Sequence, residues 1–553
     1  MTGMLAPSLL FDADLGWSKQ DNDHGTIWQK GHATRSPAAL LEGLTTDGAF
    51  DACADWLGSV SGNFAFVLQN RDVTVAMTDH VRSIPLLIGA QNAKIVIGQS
   101  GNVLRKTLGL AEIDEHAGLQ IAMAGYTAGR ETLYAGLEQL RAGEIACIDH
   151  RTGKVAFQRY YHYLPVAADD TAEDQTWQSR LADAIHDVFG DLAEELKDRP
   201  VFVPLSAGLD SRLVVSGLVE NGHKNVTAYA YGRPGNFEAQ ASQKIADQMG
   251  IPWIFVPYSP SDIRRFSDSS DFHRYMEVSD TCGSLPFLQD FYAVSMLKTM
   301  NSVPEDAVFI NGNSGDYISG GHIPDKLFQD AAGNGSADRA IQAQVTKHYS
   351  LWKDLHTAGN DAAIRDRLFA SLHERFSSEE LDTMDSRSLY EYLEFEARQT
   401  KFVISGQRVY EHLGHEWRLP LWHKIFLDFW QSVPWRLKRR QKLYVDTLAD
   451  LNLGSVWQPM RHPEFVTPPW TRPMRFLGKC LTAPFGRDAW RRMDRQVFLY
   501  WTDVISTLAY RPYSRALFDR RGFRSGVALR CESYLQDHGL DHQGRPGRGP
   551  QTR

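Results

Sequence analysis

The sequence predicts an α/β protein with two main parts, because two different patterns divide the chain. Up to about residue 163, short apolar or alternating runs separated by turn residues are typical of β-strands. After residue 200, strand-like runs alternate with helical spacing, which is typical of a doubly wound parallel sheet. Ligands of such sheets bind at the carboxyl ends of the strands, so the loops after these strands are the expected functional positions.

The elements follow in order along the chain. In the N-terminal part the predicted strands cover residues 64–68, 73–77, 86–88 and 95–97. Residues 164–174 are polar and acidic, which indicates a linker, and 176–196 have the apolar spacing of an amphipathic helix. Further strands are predicted at 201–205, 226–231, 253–256 and 308–310, and helices at 212–219 and 237–249. The range 330–430 is predicted to be helical.

Composition limits the function classes. A chain of 553 residues is long enough for about three domains. The net charge of -8 argues against a nucleic-acid binder that relies on a basic surface. The five cysteines are scattered without a CxxC pair, so neither a disulfide framework nor a zinc site is indicated. No apolar run approaches the roughly 20 residues of a membrane span and no signal peptide is evident, so we expect a cytoplasmic protein.

The stretch VFVPLSAGLDSRLVVS, residues 201–216, predicts a phosphate-binding loop. A buried strand leads into SAGLDS and then into a helix, whose first turn offers free N–H groups and a favourable dipole. Gly208 permits close approach of a phosphate, and Ser206 and Ser211 offer hydroxyl donors. Asp210 would repel a phosphate unless a cation lies between them, so this residue implies bound Mg²⁺.

A second glycine-rich stretch, DAVFINGNSGDYISGGH, covers residues 306–322. It contains a short apolar strand, then four glycines and an isolated acid, Asp316. Because this loop also follows a strand, Asp316 could supply a second carboxylate to the same Mg²⁺. The alternative interpretation is a glycine-rich turn that only connects sheet and helix.

These two loops resemble the asparagine synthetase family. LSAGLDS is similar to its SGGxDS pyrophosphatase loop, with Ala207 for the second glycine, and residues 312–321 are similar to its GEGxDExxxGGY motif. The resemblance implies that ATP is split to AMP and pyrophosphate. It implies nucleotide binding by Leu205, Ser206, Gly208, Asp210, Ser211, Gly312 and Gly315, with backbone contacts to adenine around Tyr231 and Gly232.

Two further positions are assigned by the resemblance. Asn313 stands where asparagine synthetases have a Glu that handles the proton of attacking ammonia; an amide cannot act as a base but can orient a nucleophile. Lys442 in RRQKLY matches the Lys of a later family motif and is a candidate catalytic residue. The intervening HEWRLPLWHKIFLDFW also resembles the family, although Arg398, Glu416 and Arg418 fit a structural ion-pair network equally well. Arg461 is a candidate for neutralising pyrophosphate.

The N-terminal part resembles the glutaminase domain of class II amidotransferases at residues 62–68, 78–89 and 125–144. The resemblance implies an Ntn-type α+β sandwich. Working glutaminases use an N-terminal Cys as nucleophile, whereas this chain has Thr2. The resemblance therefore predicts a retained fold without glutamine hydrolysis.

The chain is expected to divide at four boundaries. Residues 1–163 form the degenerate glutaminase-like part, 164–175 a linker, 176–459 the ATP-binding part, 460–540 a helical extension and 541–553 a disordered tail. The extension is rich in Arg, Trp and Phe, which can mark contact with nucleic acid or a membrane surface. Because the whole chain is acidic, a helical subdomain with Arg side chains lying along its surface is favoured.

Together these observations predict an AMP-forming carbon–nitrogen ligase that adenylates a small-molecule or peptide carboxylate and transfers it to ammonia or an amine. Amidation of a sugar acid in surface polysaccharide and cyclisation of a natural product are both open. Three alternatives remain: a true asparagine synthase using ammonia, a tRNA-modifying adenylating enzyme and an inactive scaffold. The expected cofactors are ATP and Mg²⁺; no nucleic acid or membrane span is expected, and a homo-oligomer is allowed.

Overall fold

The computed structural model describes residues 5–166, 172–329, 335–458 and 468–547. The predictions for Thr2 and Arg461 concern residues outside these ranges, as do parts of the predicted linker and tail. Within the described ranges, no helix combines the length and the apolar character needed to cross a lipid bilayer.

Fifteen strands are present in the described residues, ten of them in the N-terminal part. Their bounds are β1 Ser8–Leu10, β2 Ser18–Asn22, β3 Gly25–Ala33, β4 Gly62–Gln69, β5 Val73–Thr78, β6 Leu87–Gln91, β7 Lys94–Gly98, β8 Leu137–Gln139, β9 Glu144–Asp149, β10 Val155–Arg159, β11 Val201–Pro204, β12 Val226–Gly232, β13 Trp253–Pro257, β14 Val308–Ile310 and β15 Glu416–Arg418.

The α-helices surround these strands and dominate the second half of the chain. They are α1 Ala49–Leu57, α2 Gly101–Leu108, α3 Glu115–Ala124, α4 Asp174–Leu196, α5 Leu209–Glu220, α6 Phe237–Met249, α7 Pro260–Ser267, α8 Ser270–Ser279, α9 Phe291–Thr299, α10 Gly315–Ile318, α11 Ser336–His348, α12 Ala358–His373, α13 Ser378–Thr383, α14 Ser386–Glu394, α15 Arg408–His412, α16 Lys424–Ser432, α17 Trp435–Lys438, α18 Lys442–Leu451, α19 Thr471–Thr482, α20 Arg487–Met493, α21 Leu499–Thr502, α22 Tyr513–Phe518 and α23 Gly526–Asp537. A π-helix, Phe395–Val403, follows α14 directly.

Two sheets form the N-terminal part. One is six-stranded and antiparallel in the order β10-β9-β5-β4-β3-β2, and the other has the order β1-β7-β6-β8. Phe64, Phe66 and Leu68 of β4 pack in one cluster with α1, whereas Ala65 and Val67 face the main core. Burial on both faces explains why this strand is a continuous apolar run. A sheet-rich N-terminal part is thus confirmed, while its assignment as an Ntn-type sandwich stays a prediction.

The second part contains one five-stranded sheet in the order β13-β12-β11-β14-β15, and all its strand pairs are parallel. β11 is central: the chain moves outward through β12 and β13, then returns to place β14 on the other side of β11. The strand order therefore reverses between β11 and β14, which is where ligands bind in open α/β sheets. The mixed α/β class is confirmed, and the full doubly wound arrangement stays a prediction.

One prediction for this part is wrong in detail. The range 330–430 is not helical throughout, because β15 pairs with β14 at the edge of the sheet. A three-residue strand is too short to give an alternating pattern, so its formation depends on the neighbouring strand. Elsewhere the range is largely helical, for example in α14 and the π-helix, followed by a 3₁₀ turn, Ile404–Gln407.

Buried polar contacts join the two parts of the chain. The Arg159 guanidinium donates two hydrogen bonds to Glu396, each 2.7 Å long. The Lys30 ammonium lies 2.5 Å from a carboxylate oxygen of Glu411. The Lys401 ammonium donates to the Thr127 carbonyl at 2.8 Å. Because buried charges are costly unless paired, these contacts fix how the N-terminal sheets sit against the π-helix region.

Candidate active site

A cavity of about 470 Å³ opens where β11 and β14 end, a volume typical of small-molecule sites. Nine of the twelve sequence-predicted site residues line it: Leu205, Ser206, Gly208, Asp210, Ser211, Tyr231, Gly312, Asn313 and Asp316. Gly232, Gly315 and Lys442 are not among the described residues of its lining. The two motifs, about a hundred positions apart in sequence, therefore meet at one site.

The loop after β11 holds two hydroxyl groups at the start of α5. The backbone N–H of Ser206 donates to the Ser211 hydroxyl at 3.0 Å, and the N–H of Gly208 donates to the Ser206 hydroxyl at 3.1 Å. The Arg212 guanidinium supports the loop by donating to the Ala207 carbonyl at 2.7 Å. Gly208 is the N-cap of α5 and makes no side-chain cap, so the first turn of this helix is suited to an anion.

The loop after β14 brings the two predicted metal ligands together. The backbone N–H of Asp316 donates to a carboxylate oxygen of Asp210 at 3.0 Å, and the Tyr444 hydroxyl donates to the other oxygen at 3.2 Å. Burial and the charge of Asp316 raise the pKa of Asp210 to about 8. Such a pair is unfavourable without a cation, and carboxylate oxygens are the ligands that Mg²⁺ prefers, so this donor set fits that ion.

Sequence reasoning missed His322 as a site residue. Its ring lies between two carboxylates, 3.0 Å from Asp316 and 2.5 Å from Glu394, and lines the cavity. Burial alone would lower the pKa of His322, but the charge of Glu394 and the hydrogen bonds to both carboxylates raise it to about 9. His322 closes the glycine-rich stretch in sequence, and that position was the only signal available for it.

Similarity to known proteins agrees with this arrangement. The family model described as asparagine synthase matches residues 192–445. This part of the chain is an asparagine synthase domain. The family is one of ATP-dependent, amide-forming ligases. The match spans both loops, the π-helix and β15.

Two solved structures are similar over part of the chain, both with low sequence identity and a low TM-score. The allosteric regulatory enzyme of purine biosynthesis has 13% identity and a TM-score of 0.17, with 48% of this chain and 70% of that chain covered. Glutamine phosphoribosylpyrophosphate amidotransferase from B. subtilis, in complex with ADP and GMP, has 13% identity and a TM-score of 0.17, with 54% and 63% covered. No curated protein sequence matches the chain.

The π-helix of the asparagine synthase domain supplies further cavity residues. Arg398 and Gln399 both line the cavity. The Gln399 side chain accepts a hydrogen bond from the Ser314 hydroxyl at 2.8 Å and donates to Glu394 at 2.8 Å. The side-chain nitrogen of Asn313 is buried and has no hydrogen-bond partner within the described residues. An unsatisfied donor at a cavity wall is suited to orienting a substrate oxygen.

Lys442 lies away from the cavity of the asparagine synthase domain. Its ammonium is half-exposed and pairs with Asp174 at 2.8 Å and Asp446 at 3.0 Å. The preceding residue, Gln441, lines the cavity instead and donates to the Ser319 hydroxyl at 2.8 Å. The catalytic role of Lys442 stays a prediction that this conformation does not support.

The later motif residues are placed in an ion-pair network. Arg418 donates to Glu195 at 2.7 Å and also pairs with Glu416, which in turn accepts from Arg199 at 2.9 Å. Among the described residues, Glu416 and Arg418 do not line the cavity. The structural interpretation of these two residues is the one that the geometry favours, whereas Arg398 lies at the site.

A segment beyond the asparagine synthase domain completes one wall. Ile505 lines the cavity. Next to it, the Val504 carbonyl accepts a 2.8 Å hydrogen bond from the backbone N–H of Arg233, in the turn after β12. The Arg233 guanidinium also donates to the Tyr500 carbonyl at 2.7 Å. Gly232, which was predicted to contact adenine, lies next to Val504 of this segment and has a positive φ of 117°.

Proposed function

We propose that the chain is an AMP-forming ligase, which adenylates a substrate carboxylate and transfers the acyl group to ammonia or an amine. The observation that carries the proposal is the hydrogen bond between the Asp316 backbone and the Asp210 carboxylate. This contact joins the two loops at the reversal of strand order and leaves two acidic side chains beside the N-terminus of α5. A phosphate site with paired carboxylates is suited to a nucleoside triphosphate with its metal.

The residues would act mainly by positioning and by neutralising charge. The hydroxyls of Ser206 and Ser211 and the first turn of α5 would hold phosphate oxygens. Asp210 and Asp316 would hold Mg²⁺, which when bound neutralises charge on those oxygens. An oxygen of the substrate carboxylate attacks the α-phosphorus, the bond to pyrophosphate breaks, and the amine then displaces AMP from the acyl carbon.

Positive charge for the leaving pyrophosphate would come from Arg398 and His322. Both side chains line the cavity, and the neighbouring carboxylates raise the pKa of His322. This assignment does not need Arg461. It makes the π-helix part of the nucleotide site, because Arg398 lies on it.

The nucleophile would be oriented by Asn313 and supplied from outside the chain. The buried side-chain nitrogen of Asn313 has no partner within the described residues, so it is available to a substrate oxygen or an amine. We propose ammonia or a free amine as the donor, in a cytoplasmic setting. A sugar acid of surface polysaccharide or a peptide-like carboxylate is the proposed acceptor class.

Pyrophosphate release from ATP and Mg²⁺ over a panel of carboxylates and amines tests the proposal. We expect release that depends on one carboxylate class and falls at least a hundredfold in Asp210→Asn and Asp316→Asn. The matched control is Asp446→Asn, which removes an acid that pairs with Lys442 at the surface.

Calorimetry with ATP and Mg²⁺ separates the possible failures. Binding that both active-site variants lose, without turnover, would show that the panel lacks the substrate. Absence of any nucleotide binding by the folded wild type would contradict the ligase proposal and favour a scaffold.

A further inference from the structure

The segment from Trp470 to Phe485 exposes a cluster of large apolar side chains, which we call the α19 face. Its members are exposed by between 52% and 78%: Trp470, Met474, Phe476, Leu477, Leu481 and Phe485. No other segment of the described residues concentrates so many large exposed apolar side chains. Exposed apolar patches of this kind mark sites of interaction with a partner or a membrane.

The helix is folded so that this face points away from the protein. Another side of α19 packs against the protein: Thr471 and Gly478 are buried, and Arg475 pairs with Asp494 at 2.7 Å. A Cβ at position 478 would lie 2.4 Å from the methyl carbon of Met493, so α20 packs tightly on that side. The α19 face is therefore the outer side of a packed helical hairpin.

Basic side chains are frequent in the sequence of α19 and of the helix that packs on it. Seven lie between residues 470 and 495, namely Arg472, Arg475, Lys479, Arg487, Arg491, Arg492 and Arg495, against two acids, Asp488 and Asp494. This local excess of positive charge stands out in a chain whose net charge is -8. Arg472 and Lys479 both precede or follow the exposed apolar positions by one or two residues and are themselves exposed.

We propose that the α19 face docks on an anionic lipid surface. An amphipathic helix with Trp, Phe and Leu on one side and Lys and Arg along its flanks lies in the plane of a bilayer interface. Anionic headgroups attract the basic flank, while the apolar side chains enter the boundary with the acyl chains. Among the described residues, the large exposed apolar side chains cluster in this segment, so an apolar contact between two copies would bring two basic α19 faces together. An anionic lipid surface instead complements the positive charge and accepts the apolar side chains. The proposal is independent of the ligase proposal.

Co-sedimentation of the full-length protein with vesicles tests this surface. We expect binding to phosphatidylcholine vesicles that contain phosphatidylglycerol, weak binding to phosphatidylcholine alone, and a loss of binding as salt rises. The double variant Arg472→Gln/Lys479→Gln should weaken binding on the order of fivefold for each charge removed. The triple variant Leu477→Gln/Leu481→Gln/Phe485→Ser should abolish it.

The chain offers matched controls for both kinds of change. Phe518→Ser removes an apolar side chain that is 75% exposed elsewhere on the protein, and Arg151→Gln removes an 88% exposed charge on the N-terminal part. Both should sediment like the wild type. Equal losses in these controls would contradict a specific role of the α19 face.

A fluorophore at Cys480 reports insertion directly. Cys480 is exposed on α19, whereas Cys53, Cys147, Cys282 and Cys531 are buried, so an environment-sensitive thiol probe labels this position selectively. Its emission should shift to the blue on addition of phosphatidylglycerol vesicles. The same probe at Arg151→Cys in a Cys480→Ser background should not respond.

Two outcomes would overturn the proposal. One is no sedimentation with either kind of vesicle. The other is a stable dimer of the wild type in solution that the triple variant converts to monomer, which would assign the α19 face to contact between copies.

Discussion

The backbone at position 315 leaves no space for a side chain. A Cβ there would lie 2.5 Å from a carboxylate oxygen of Asp210 and 2.8 Å from a methyl group of Leu421. Gly315 does not line the cavity, yet it sets how closely the loop after β14 approaches Asp210. Gly315 therefore acts by letting the loop after β14 come close to Asp210, and it need not contact a ligand itself.

We expect Gly315→Ala to weaken binding of ATP with Mg²⁺ by at least tenfold, because the added methyl group displaces the Asp210 carboxylate. Calorimetry measures the affinity, and circular dichroism checks that the variant is folded. Gly359→Ala is the control, since a Cβ at that helical position meets nothing within 4 Å. Unchanged affinity in Gly315→Ala would show that the Asp210 geometry does not limit binding.

A second residue-scale prediction concerns Lys438. Its ammonium pairs with the Glu391 carboxylate, and neither side chain has any exposed surface. Lys438→Met leaves Glu391 buried without its partner, which should cost roughly 3 kcal/mol of unfolding free energy. Burial already raises the pKa of Glu391 to about 7, so the variant should be less destabilised at pH 5, where Glu391 takes up a proton.

Urea denaturation at pH 8 and pH 5 measures this effect. Lys442→Met, four residues along the chain, is the control, because its ion pairs are half-exposed and should contribute no more than about 1 kcal/mol. Similar losses of unfolding free energy in the two variants would mean that the buried ion pair stabilises the fold no more than the half-exposed pairs do.

At the scale of elements, the π-helix links the core of the domain to the cavity. Its wider turn is visible in the backbone N–H of Ile404, which donates to the Gln399 carbonyl five residues earlier. The π-helix that follows α14 shifts its side chains relative to those of an α-helix, and Arg398 and Gln399 reach the cavity wall. Such turns are frequent at functional sites.

The element-scale prediction is that Gln399→Leu destabilises the domain and loosens the site. Gln399 is 1% exposed. In the leucine variant, the Ser314 hydroxyl and a Glu394 carboxylate oxygen each lose one hydrogen bond. Each lost contact should cost about 1–3 kcal/mol. Thermal unfolding with and without ATP measures both effects, with Gln342→Leu on the exposed side of α11 as control. A variant whose midpoint equals that of the control would argue against this role.

Elements with strong end signals were predictable from sequence. The predicted helix at 237–249 is α6, because Asn236 caps its start through the Ala239 N–H and Gly250 ends it with a left-handed backbone. The predicted strand at 308–310 is β14, a short apolar run that is fully buried. The connection from β11 to α5 was predictable because an apolar run, a small-residue loop and helical apolar spacing follow one another, whereas phosphate binding by this loop stays a prediction.

Other features depend on contacts that the sequence does not show. A π-turn leaves the residue pattern of a helix intact, so spacing could not reveal why Arg398 faces the cavity. Lys442 matches a motif, but the 3₁₀ turn before α18 directs Gln441 inward and Lys442 to Asp174. Ile505 lines the cavity because the chain returns to this site from a distant part of the sequence. Local backbone geometry decided the first two cases, and proximity between distant segments decided the third.

At the scale of the whole molecule, the N-terminal sheets are linked to the asparagine synthase domain by charged side chains of a kind that is rarely buried. Glu396, on the π-helix, accepts both hydrogen bonds of the Arg159 guanidinium, and the two side chains are 10% and 7% exposed. Any change that neutralises Glu396 removes a link between the two parts. This arrangement makes the interface sensitive to acid.

The acid sensitivity can be stated with its sign. Burial alone would raise the pKa of Glu396, but Arg159 and Arg141 lower it to about 2, against about 4.5 in the unfolded chain. A lowered folded-state pKa stabilises the fold fully above pH 4.5, and the contribution, roughly 3 kcal/mol, is lost as the pH falls towards 2. Glu396→Gln should therefore be less stable than the wild type at pH 7, and the difference should shrink steadily between pH 4.5 and pH 3. Urea midpoints across this range measure it, with Glu379→Gln on exposed α13 as control. A difference that stays constant with pH would mean that the Glu396 charge does not hold the two parts together, because only a titrating contribution can fade with acid.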